Sequence, residues 1–191
     1  MSDASLGNSN IPKLFHISKT VEKSIKDVYD GMEGRRRVYP TSWPRLNRNL
    51  MGGLQPGKMY VVAGRPGVGK SAFSNQLIFD VLDVNKTKQN DLIVIYWSFE
   101  MPGEQQILRA GSKDTKLQTF DLLSVETRLT DERYEQYKQA VQKYKDYPMY
   151  FCSIPQDMTI IKKVNEQMFM RHPSKTVINL IDHSRLVLGR E

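Results

Sequence analysis

Residues 64–71 carry the clearest chemical signal in the sequence. They read Gly-Arg-Pro-Gly-Val-Gly-Lys-Ser and match the pattern G-x-x-x-x-G-K-[ST] once in the 191 residues. Glycines at this spacing let backbone N–H groups converge on phosphate oxygens at the N-terminus of a helix. The stretch therefore predicts a site for the phosphates of ATP or GTP, and the alternative is a degenerate loop that has lost its nucleotide.

The candidate nucleotide-binding residues form one continuous run with distinct roles. We expect the Lys70 ammonium to reach the β- and γ-phosphates and the Ser71 hydroxyl to bind Mg²⁺. Backbone amides supply most of the remaining contacts. The full set is Gly64, Arg65, Pro66, Gly67, Val68, Gly69, Lys70, Ser71 and Ala72.

Two carboxylates end apolar runs elsewhere in the chain. Asp182 closes "TVINLID", and a carboxylate at that tip of a buried strand could hold Mg²⁺ beside the loop, usually through water. Strands also end in Asp simply to form a turn. Glu100 closes "IYWSFE" and could orient and deprotonate an attacking water. The pattern alone equally allows Glu100 to be a residue that only complements the dipole of the next helix.

Strands and helices alternate through most of the chain, which is the order needed to bring these residues together. Apolar runs predict strands at 58–64, 91–99, 148–154 and 175–182. Helices are predicted at 70–84, from Pro102, around Tyr134–Tyr144, and at 157–172 with a cap at Asp157 or Thr159. This alternation predicts an α/β fold, with a parallel sheet covered by helices on both faces. The inner face of helix 70–84 is predicted to be Phe73, Leu77, Ile78, Val81 and Leu82.

The N-terminal part has a different character. Residues 1–12 are small and polar and are predicted to be a disordered lead. Apolar residues then recur every three or four positions, which predicts an amphipathic helix at 13–30 ended by Gly31 and Gly34. A stretch rich in Arg, Pro and Gly follows, so we place a domain boundary near residue 35. The apolar positions are Leu14, Ile17, Val21, Ile25 and Val28.

Composition narrows the class of protein. The net charge of +7 and the pI of about 9.4 suit an acidic partner such as nucleic acid, although many soluble proteins carry this charge without one. Arg35, Arg36 and Arg37 could contact phosphates, but adjacent arginines are more often solvated or paired. Cys152 is the only cysteine, which excludes an internal disulfide and a cysteine metal site. No apolar run could span a membrane, and we predict a cytoplasmic protein.

The assembled motifs resemble the DnaB-type replicative helicases. Four stretches occur in the order and approximate spacing of that family: "GGLQPGKMYVVAGRPGVGKSAFSNQL", "VIYWSFEMPGEQQILR", "YPMYFCSIPQDMTIIKKV" and "TVINLIDHSRLV". The specific features are Arg-Pro inside the phosphate loop, the "SFEM" strand end and the "ID" strand end. The resemblance covers roughly residues 13–188.

The resemblance implies a RecA-like ATPase that assembles as a hexameric ring around single-stranded DNA. ATP and Mg²⁺ would be bound between subunits, and hydrolysis would drive 5′-to-3′ translocation and duplex unwinding in a bacterial or phage-infected cell. Lys70 and Glu100 match catalytic positions of the family, and Ser71 and Asp182 match its Mg²⁺-associated positions. The segment 13–34 resembles the linker helix that packs on a neighbouring subunit, and 35–191 the ATPase core. Primase or a helicase loader is a further expected partner.

Some features depart from the family. A glutamine usually follows the strand-ending aspartate, and Arg185 stands there in this chain. We expect the primase-binding domain of the bacterial proteins to be absent, and the family's DNA-binding loops and arginine finger are expected after the position of Glu191. We therefore expect an incomplete ATPase core that is weakly active alone. Two alternatives stay open: another RecA-fold ATPase of recombination, or a nucleotide-binding module without motor activity.

Overall fold

The computed structural model describes residues 14–126, 128–182 and 187, without the side chains of 88–90. The predicted lead at 1–12 and Arg185 lie outside the described residues. The chain divides into two compact units between Arg37 and Val38, close to the boundary predicted near residue 35.

Between residue 14 and Arg37, the described part of the first unit, there is one helix, α1, which spans Ile17–Met32. It begins where the Nδ1 atom of His16 accepts a hydrogen bond from the Ser18 amide at 3.3 Å. Gly31 lies inside the helix, and Gly34, with φ of +66°, follows its end. The predicted helix is present, and none of its residues is buried.

The described residues of the second unit form six helices and three strands. Their bounds are α2 Pro44–Asn49, α3 Lys70–Val84, β1 Leu92–Ser98, α4 Gly103–Thr115, α5 Thr119–Leu123, α6 Asp131–Gln142, β2 Met149–Cys152, α7 Met158–Arg171 and β3 Thr176–Asp182. Short 3₁₀ segments cover Lys86–Asp91 and Lys143–Asp146. The predicted helices and three of the four predicted strands are confirmed. Of the two caps considered for α7, Asp157 is the one observed: its Oδ1 accepts from the Ile160 amide at 2.9 Å.

The three strands form a parallel sheet in the order β2-β1-β3. All seven residues of the central strand β1 are buried, as expected for a strand covered on both faces. The register pairs Ser98 with Asp182, so the ends of β1 and β3 lie side by side. This pairing brings the two segments that carry Glu100 and Asp182 to one edge of the sheet.

Alternate residues of β1 face opposite layers of helices. Val94 and Tyr96 pack with residues of α3 and α4, among them Ile78, Leu82 and Ala110. Ile93, Ile95 and Trp97 pack on the other face, with Phe99 and with Ile161 of α7. The period-2 alternation of a strand produces this division. The prediction that helices cover both faces is confirmed.

The predicted strand at 58–64 is wrong. Residues 58–65 form no regular element, and Met59 and Val61 expose 88% and 76% of their surface. A strand exists only where a neighbour supplies ladder hydrogen bonds. No strand in the described parts of the chain pairs with this run, because β3 pairs with β1 alone. The apolar residues of this run favour a β-strand locally, but the described residues supply no neighbouring strand to pair with it.

One predicted core position also differs. Phe73 of α3 is 39% exposed, whereas Ile78, Val81 and Leu82 are buried as predicted. Phe73 stacks on Trp43, with ring centroids 5.5 Å apart. Phe79, which the sequence analysis did not assign to the inner face, is buried between the sheet and Tyr144.

Candidate nucleotide site at the phosphate loop

The loop at 64–69 has the backbone geometry that its glycines predict. Gly67 and Gly69 adopt φ of +78° and +91°, values that side chains with a Cβ atom rarely tolerate. Gly69 is the residue immediately before α3. A Cβ atom on Gly64 would lie 2.9 Å from Cγ2 of Val68, so the turn is also too close for a larger residue there.

The N-terminus of α3 carries no side-chain cap. The first intrahelical bond runs from the Phe73 amide to the Gly69 carbonyl at 2.8 Å, and the amides of the preceding turn point out of the helix. Unpaired amides and the helix dipole together favour an anion at this position. The local structure therefore suits phosphate oxygens.

Lys70 folds back over its own loop. Its Nζ atom donates a hydrogen bond to the Arg65 carbonyl at 3.0 Å. This contact holds a positive charge next to the exposed backbone of residues 64–69. A bound phosphate would therefore meet the ammonium as well as the amides.

Ser71 and Asp182 are in direct contact, although they are 111 residues apart. The Ser71 hydroxyl donates to Oδ1 of Asp182 at 3.1 Å. Asp182 is only 6% exposed, and its Oδ2 atom is buried with no hydrogen-bond partner in the described structure. An unpaired buried carboxylate oxygen next to a hydroxyl provides two of the hard oxygen ligands that Mg²⁺ prefers.

Tyr96 and Arg109 extend this polar region into the space between β1 and α4. Burial raises the pKa of the Tyr96 phenol, and the negative charge of Asp182 raises it further, while the nearby Asn75 side chain and then Arg109 oppose this. The Tyr96 hydroxyl and one guanidinium nitrogen of Arg109 are also buried without a hydrogen-bond partner among the described residues. Unpaired buried polar groups are rare in folded proteins and often mark functional sites.

A second group of polar residues was not predicted from the sequence. Arg109 and Lys113 line a cleft of about 340 Å³ beside the start of α3, and no carboxylate lines it. The sequence does contain a signal for this group: Arg109 and Lys113 are four residues apart on the predicted helix, and neither has an acidic residue four positions away. The other lining residues are Ala72, Asn75, Gln76, Ser112 and Thr119.

Glu100 lies in the turn between β1 and α4, at the same edge of the sheet. The preceding residue, Phe99, donates its amide to the Asp182 carbonyl at 2.8 Å. The Glu100 side chain is exposed and forms no hydrogen bond with the described residues. The backbone pairing thus brings the turn next to the Ser71–Asp182 contact.

Other residues singled out in the sequence have structural explanations. Trp97 is 2% exposed, and its indole N–H donates to Oδ1 of Asn179 at 2.9 Å, so Trp97 is a core residue and not a surface for stacking bases. Arg35 pairs with Asp30 at 3.3 Å within its own unit and lies over the Tyr29 ring.

The described residues contain neither a metal-binding cluster nor a membrane-spanning helix. Among them, no group of three or more His, Cys, Asp and Glu side chains is arranged to hold a metal. In the same part of the chain, every helix is too short or too polar to cross a membrane.

Comparison with known proteins identifies relatives of this chain. The DnaB-like helicase C terminal domain family matches residues 39–191. The replicative DNA helicase DnaB of Buchnera aphidicola subsp. Schizaphis graminum is 33% identical over 104 residues, which is 54% of this chain and 20% of that protein. The DNA repair protein RadA of Listeria monocytogenes is 41% identical over 78 residues, covering 41% of this chain and 16% of that protein. This chain thus spans about a fifth of the length of the curated relatives it matches.

Solved structures share the fold. The ATPase domain of G40P superposes with a TM-score of 0.75 at 20% identity, over 90% of this chain and 59% of that chain. A DnaB-like replicative helicase, solved in a study of its interactions with primase, gives a TM-score of 0.73 at 20% identity over 89% of this chain and 40% of that chain. The architecture is therefore that of RecA-like helicase ATPase domains. The chain belongs to the DnaB-like helicase C-terminal domain family.

Proposed function

We propose that this chain is ATPase motor sequence of a replicative DNA helicase, which couples ATP hydrolysis to 5′-to-3′ translocation on single-stranded DNA and to duplex unwinding. The observation that carries the proposal is the 3.1 Å contact between Ser71 and Asp182, which joins the phosphate loop to the end of β3. Together with membership of the helicase family, this contact favours a working nucleotide site over a degenerate loop.

ATP is the proposed substrate, with its phosphates on the backbone of residues 64–72. The uncapped start of α3 and the positive φ angles of Gly67 and Gly69 support this assignment. Lys70 would exchange its bond to the Arg65 carbonyl for phosphate oxygens. That exchange replaces a neutral acceptor by a charged one, which strengthens the hydrogen bond.

The residues at the end of β3 fit Mg²⁺. Oδ2 of Asp182 is a buried acceptor without a partner in the described structure, and the Ser71 hydroxyl lies next to the same carboxylate. These two side chains would hold the ion, directly or through water. When bound, Mg²⁺ would neutralise part of the phosphate charge. Asp182 itself would orient the Ser71 hydroxyl through the bond that the two already form.

Glu100 is the proposed residue that orients the attacking water and accepts its proton. The alternative, that Glu100 only complements a helix dipole, is weakened by its position. α4 begins at Gly103 after the cap residue Pro102, and the acidic residue of its first turn is Glu104. Glu100 precedes the helix and is exposed at the edge that carries Asp182, where a water could be reached.

The proposed assembly is a homo-hexamer around single-stranded DNA, joined through residues 13–34 as a linker helix, with 35–191 as the ATPase core. The apolar face of α1 supports a second copy of this chain as its partner. Ile17, Val21, Ile25 and Val28 expose between 49% and 69% of their surface. An apolar helical stripe of this kind gains stability only by packing against another surface. Primase or a helicase loader is a proposed further partner.

A recombination ATPase is the second candidate, because RadA is among the relatives at 41% identity. That match covers 78 residues, whereas the helicase family covers 39–191. A strand-displacement assay tests the first candidate: a replicative helicase opens a forked duplex in an ATP-dependent reaction, and ATP hydrolysis without any strand displacement would favour the second candidate.

Two substitutions test the nucleotide site. We expect Lys70→Ala to abolish binding of a fluorescent ATP analogue, because it removes the charge beside the loop. Glu100→Gln should leave binding intact and slow phosphate release by about 10²–10⁴-fold, the usual contribution of a positioned general base. Glu104→Gln is the matched control, since Glu104 is an acidic residue four positions away at the start of α4. Unchanged turnover in Glu100→Gln would show that the catalytic assignment is wrong.

A further inference from the structure

Gln106 of α4 is fully buried, with 0% of its surface exposed, although it is polar. Both ends of its side-chain amide are hydrogen-bonded. Oε1 accepts from Nδ2 of Asn75 at 2.9 Å, and Nε2 donates to the Ser98 hydroxyl at 2.8 Å. The Ser98 hydroxyl in turn donates to the Met101 carbonyl at 2.5 Å. These bonds form a chain from α3 to the turn that carries Glu100.

Backbone carbonyls fix the direction of every bond in this chain. Nδ2 of Asn75 also approaches the Gln106 carbonyl at 3.2 Å, and a carbonyl can only accept, so the amide end of Asn75 must face Gln106. Gln106 must then present its oxygen to Asn75 and its nitrogen to Ser98. The Ser98 oxygen accepts that bond, so its proton goes to Met101. No member can be flipped without breaking the chain.

The two ends of this series of hydrogen bonds lie at the two halves of the proposed nucleotide site. Asn75 is one helical turn after Ser71 on α3, and Met101 directly follows Glu100. Because the Glu100 side chain forms no hydrogen bond with the described residues, its position depends on the backbone of this turn. Phe99 anchors one side of the turn to Asp182 at 2.8 Å, and the Gln106 chain anchors the other side to α3.

We propose that Gln106 is a positioning residue that holds Glu100 in register with the phosphate loop. This inference rests on the proposed role of Glu100 and adds a specific residue through which α3 and the catalytic turn keep a fixed separation. Gln106 does not contact the reacting groups. It acts through Ser98 and Met101 on the backbone of the turn.

The test compares Gln106→Leu with the unchanged protein, using phosphate release in the presence of single-stranded DNA and binding of a fluorescent ATP analogue. We expect kcat to fall by about 10- to 100-fold, because a displacement of about 1 Å can cost 10² in rate. Binding should change by less than about twofold, because the phosphate loop is untouched. A kcat within about twofold of the original overturns the proposal.

A double variant separates positioning from general damage. If Gln106 acts through Glu100, Gln106→Leu should slow Glu100→Gln by less than about twofold, because the group being positioned is already lost. If the two substitutions instead lower kcat independently, so that the double variant shows the product of the two single losses, the proposal is overturned. If Glu100→Gln alone leaves turnover unchanged, the proposed function fails first. If only Glu100→Gln slows turnover, the proposed function stands and the role of Gln106 is wrong.

Asn85 provides a matched control at the other end of α3. Its side chain is 3% exposed, and its Nδ2 donates to the Pro40 and Val81 carbonyls at 2.8 and 2.7 Å. Asn85→Leu removes a buried amide of the same kind, so it should lower the melting temperature comparably while leaving kcat unchanged. An equal fall in kcat for Asn85→Leu and Gln106→Leu would show that the slower turnover comes from lost stability alone, and it would overturn the proposal.

Hydrogen exchange provides a measurement that does not need activity. In Gln106→Leu the amides of Phe99, Glu100, Met101 and Gly103 should exchange at least about fivefold faster, while the non-proline amides of residues 61–70 keep their rates, since local opening follows lost hydrogen bonds. Ser98→Ala, which removes the last bond while keeping Gln106, should give the same exchange pattern and serves if Gln106→Leu does not fold. Unchanged exchange at 99–103 in the variant that folds would overturn the proposal.

Discussion

Asp182→Asn should stabilise the fold and weaken the site at the same time. Asp182 is 6% exposed and carries one oxygen that accepts from Ser71 and one that has no partner among the described residues. A buried polar atom without a partner costs about 1–3 kcal/mol, and more when it is charged. Asparagine has the same shape and keeps an acceptor for Ser71; its Nδ2 would still be unpaired, so the gain comes from removing the buried charge. We therefore expect the free energy of unfolding to rise by about 1–2 kcal/mol without nucleotide and metal.

Thermal unfolding measures the first effect. In a chain of this size about 1 kcal/mol corresponds to about 2–4 °C, so the melting temperature should rise by about 2–8 °C. ATP binding measures the second effect. In Mg²⁺ the variant should bind ATP more weakly than the original, whereas in excess EDTA the two should bind alike, because the carboxylate acts on the nucleotide through the ion.

Asp80 gives a control of the opposite sign. It is 8% exposed, and its Oδ2 accepts from the Ser42 amide at 2.7 Å, a hydrogen bond strengthened by the charge. Asp80→Asn weakens that bond and should lower the free energy of unfolding by about 0.5–1 kcal/mol. If Asp182→Asn also lowers the melting temperature, the carboxylate is held by favourable contacts, and the reasoning from its unpaired oxygen is refuted.

Two further predictions concern surfaces away from the site. Burial works to raise the pKa of Asp114, but hydrogen bonds from Lys143 (2.6 Å) and Tyr144 (2.7 Å) lower it overall. A carboxyl whose pKa is lowered on folding stabilises the folded state above its unfolded pKa. Asp114→Asn should therefore lower the free energy of unfolding by about 1 kcal/mol at pH 7, and this loss should fade below about pH 4. Urea unfolding that shows the same loss at pH 7 and below about pH 4 contradicts this. Val21→Asp on the apolar face of α1 should prevent self-association, measured by analytical sedimentation, whereas Lys23→Asp on the opposite face should not. If both variants self-associate to the same extent, α1 is not the contact between copies.

The elements that the sequence predicted well are those whose environment is encoded locally. β1 is a continuous apolar run because both of its faces are covered, and the structure buries all seven residues. Asp157 caps the start of α7, because an aspartate just before a helix can accept a hydrogen bond from the amide three residues later. Such signals need no knowledge of distant residues.

The run at 58–64 shows where local information ends. Its residues favour a strand, but whether a strand forms depends on a neighbour elsewhere in the chain. The same limit applies to Gln106, because a polar residue on a helix is normally exposed. Only the packing of α4 on α3 and β1 encloses it and supplies partners to both ends of its amide. By contrast, the contact of Ser71 with Asp182 could be anticipated, since a motif located one residue and a strand end located the other.

The exposed run Met59–Val62 also affects how the protein behaves in solution. It is an uncharged stretch of large side chains with a high preference for β structure, and one edge of β3 is unpaired within the described sheet. Both features favour aggregation through β-strand pairing between copies of the chain. The net charge of +7 opposes this by mutual repulsion, which salt screens within about 10 Å at 0.1 M. High salt, such as that used to strip nucleic acid from a basic protein, would thus weaken this repulsion and favour association between copies.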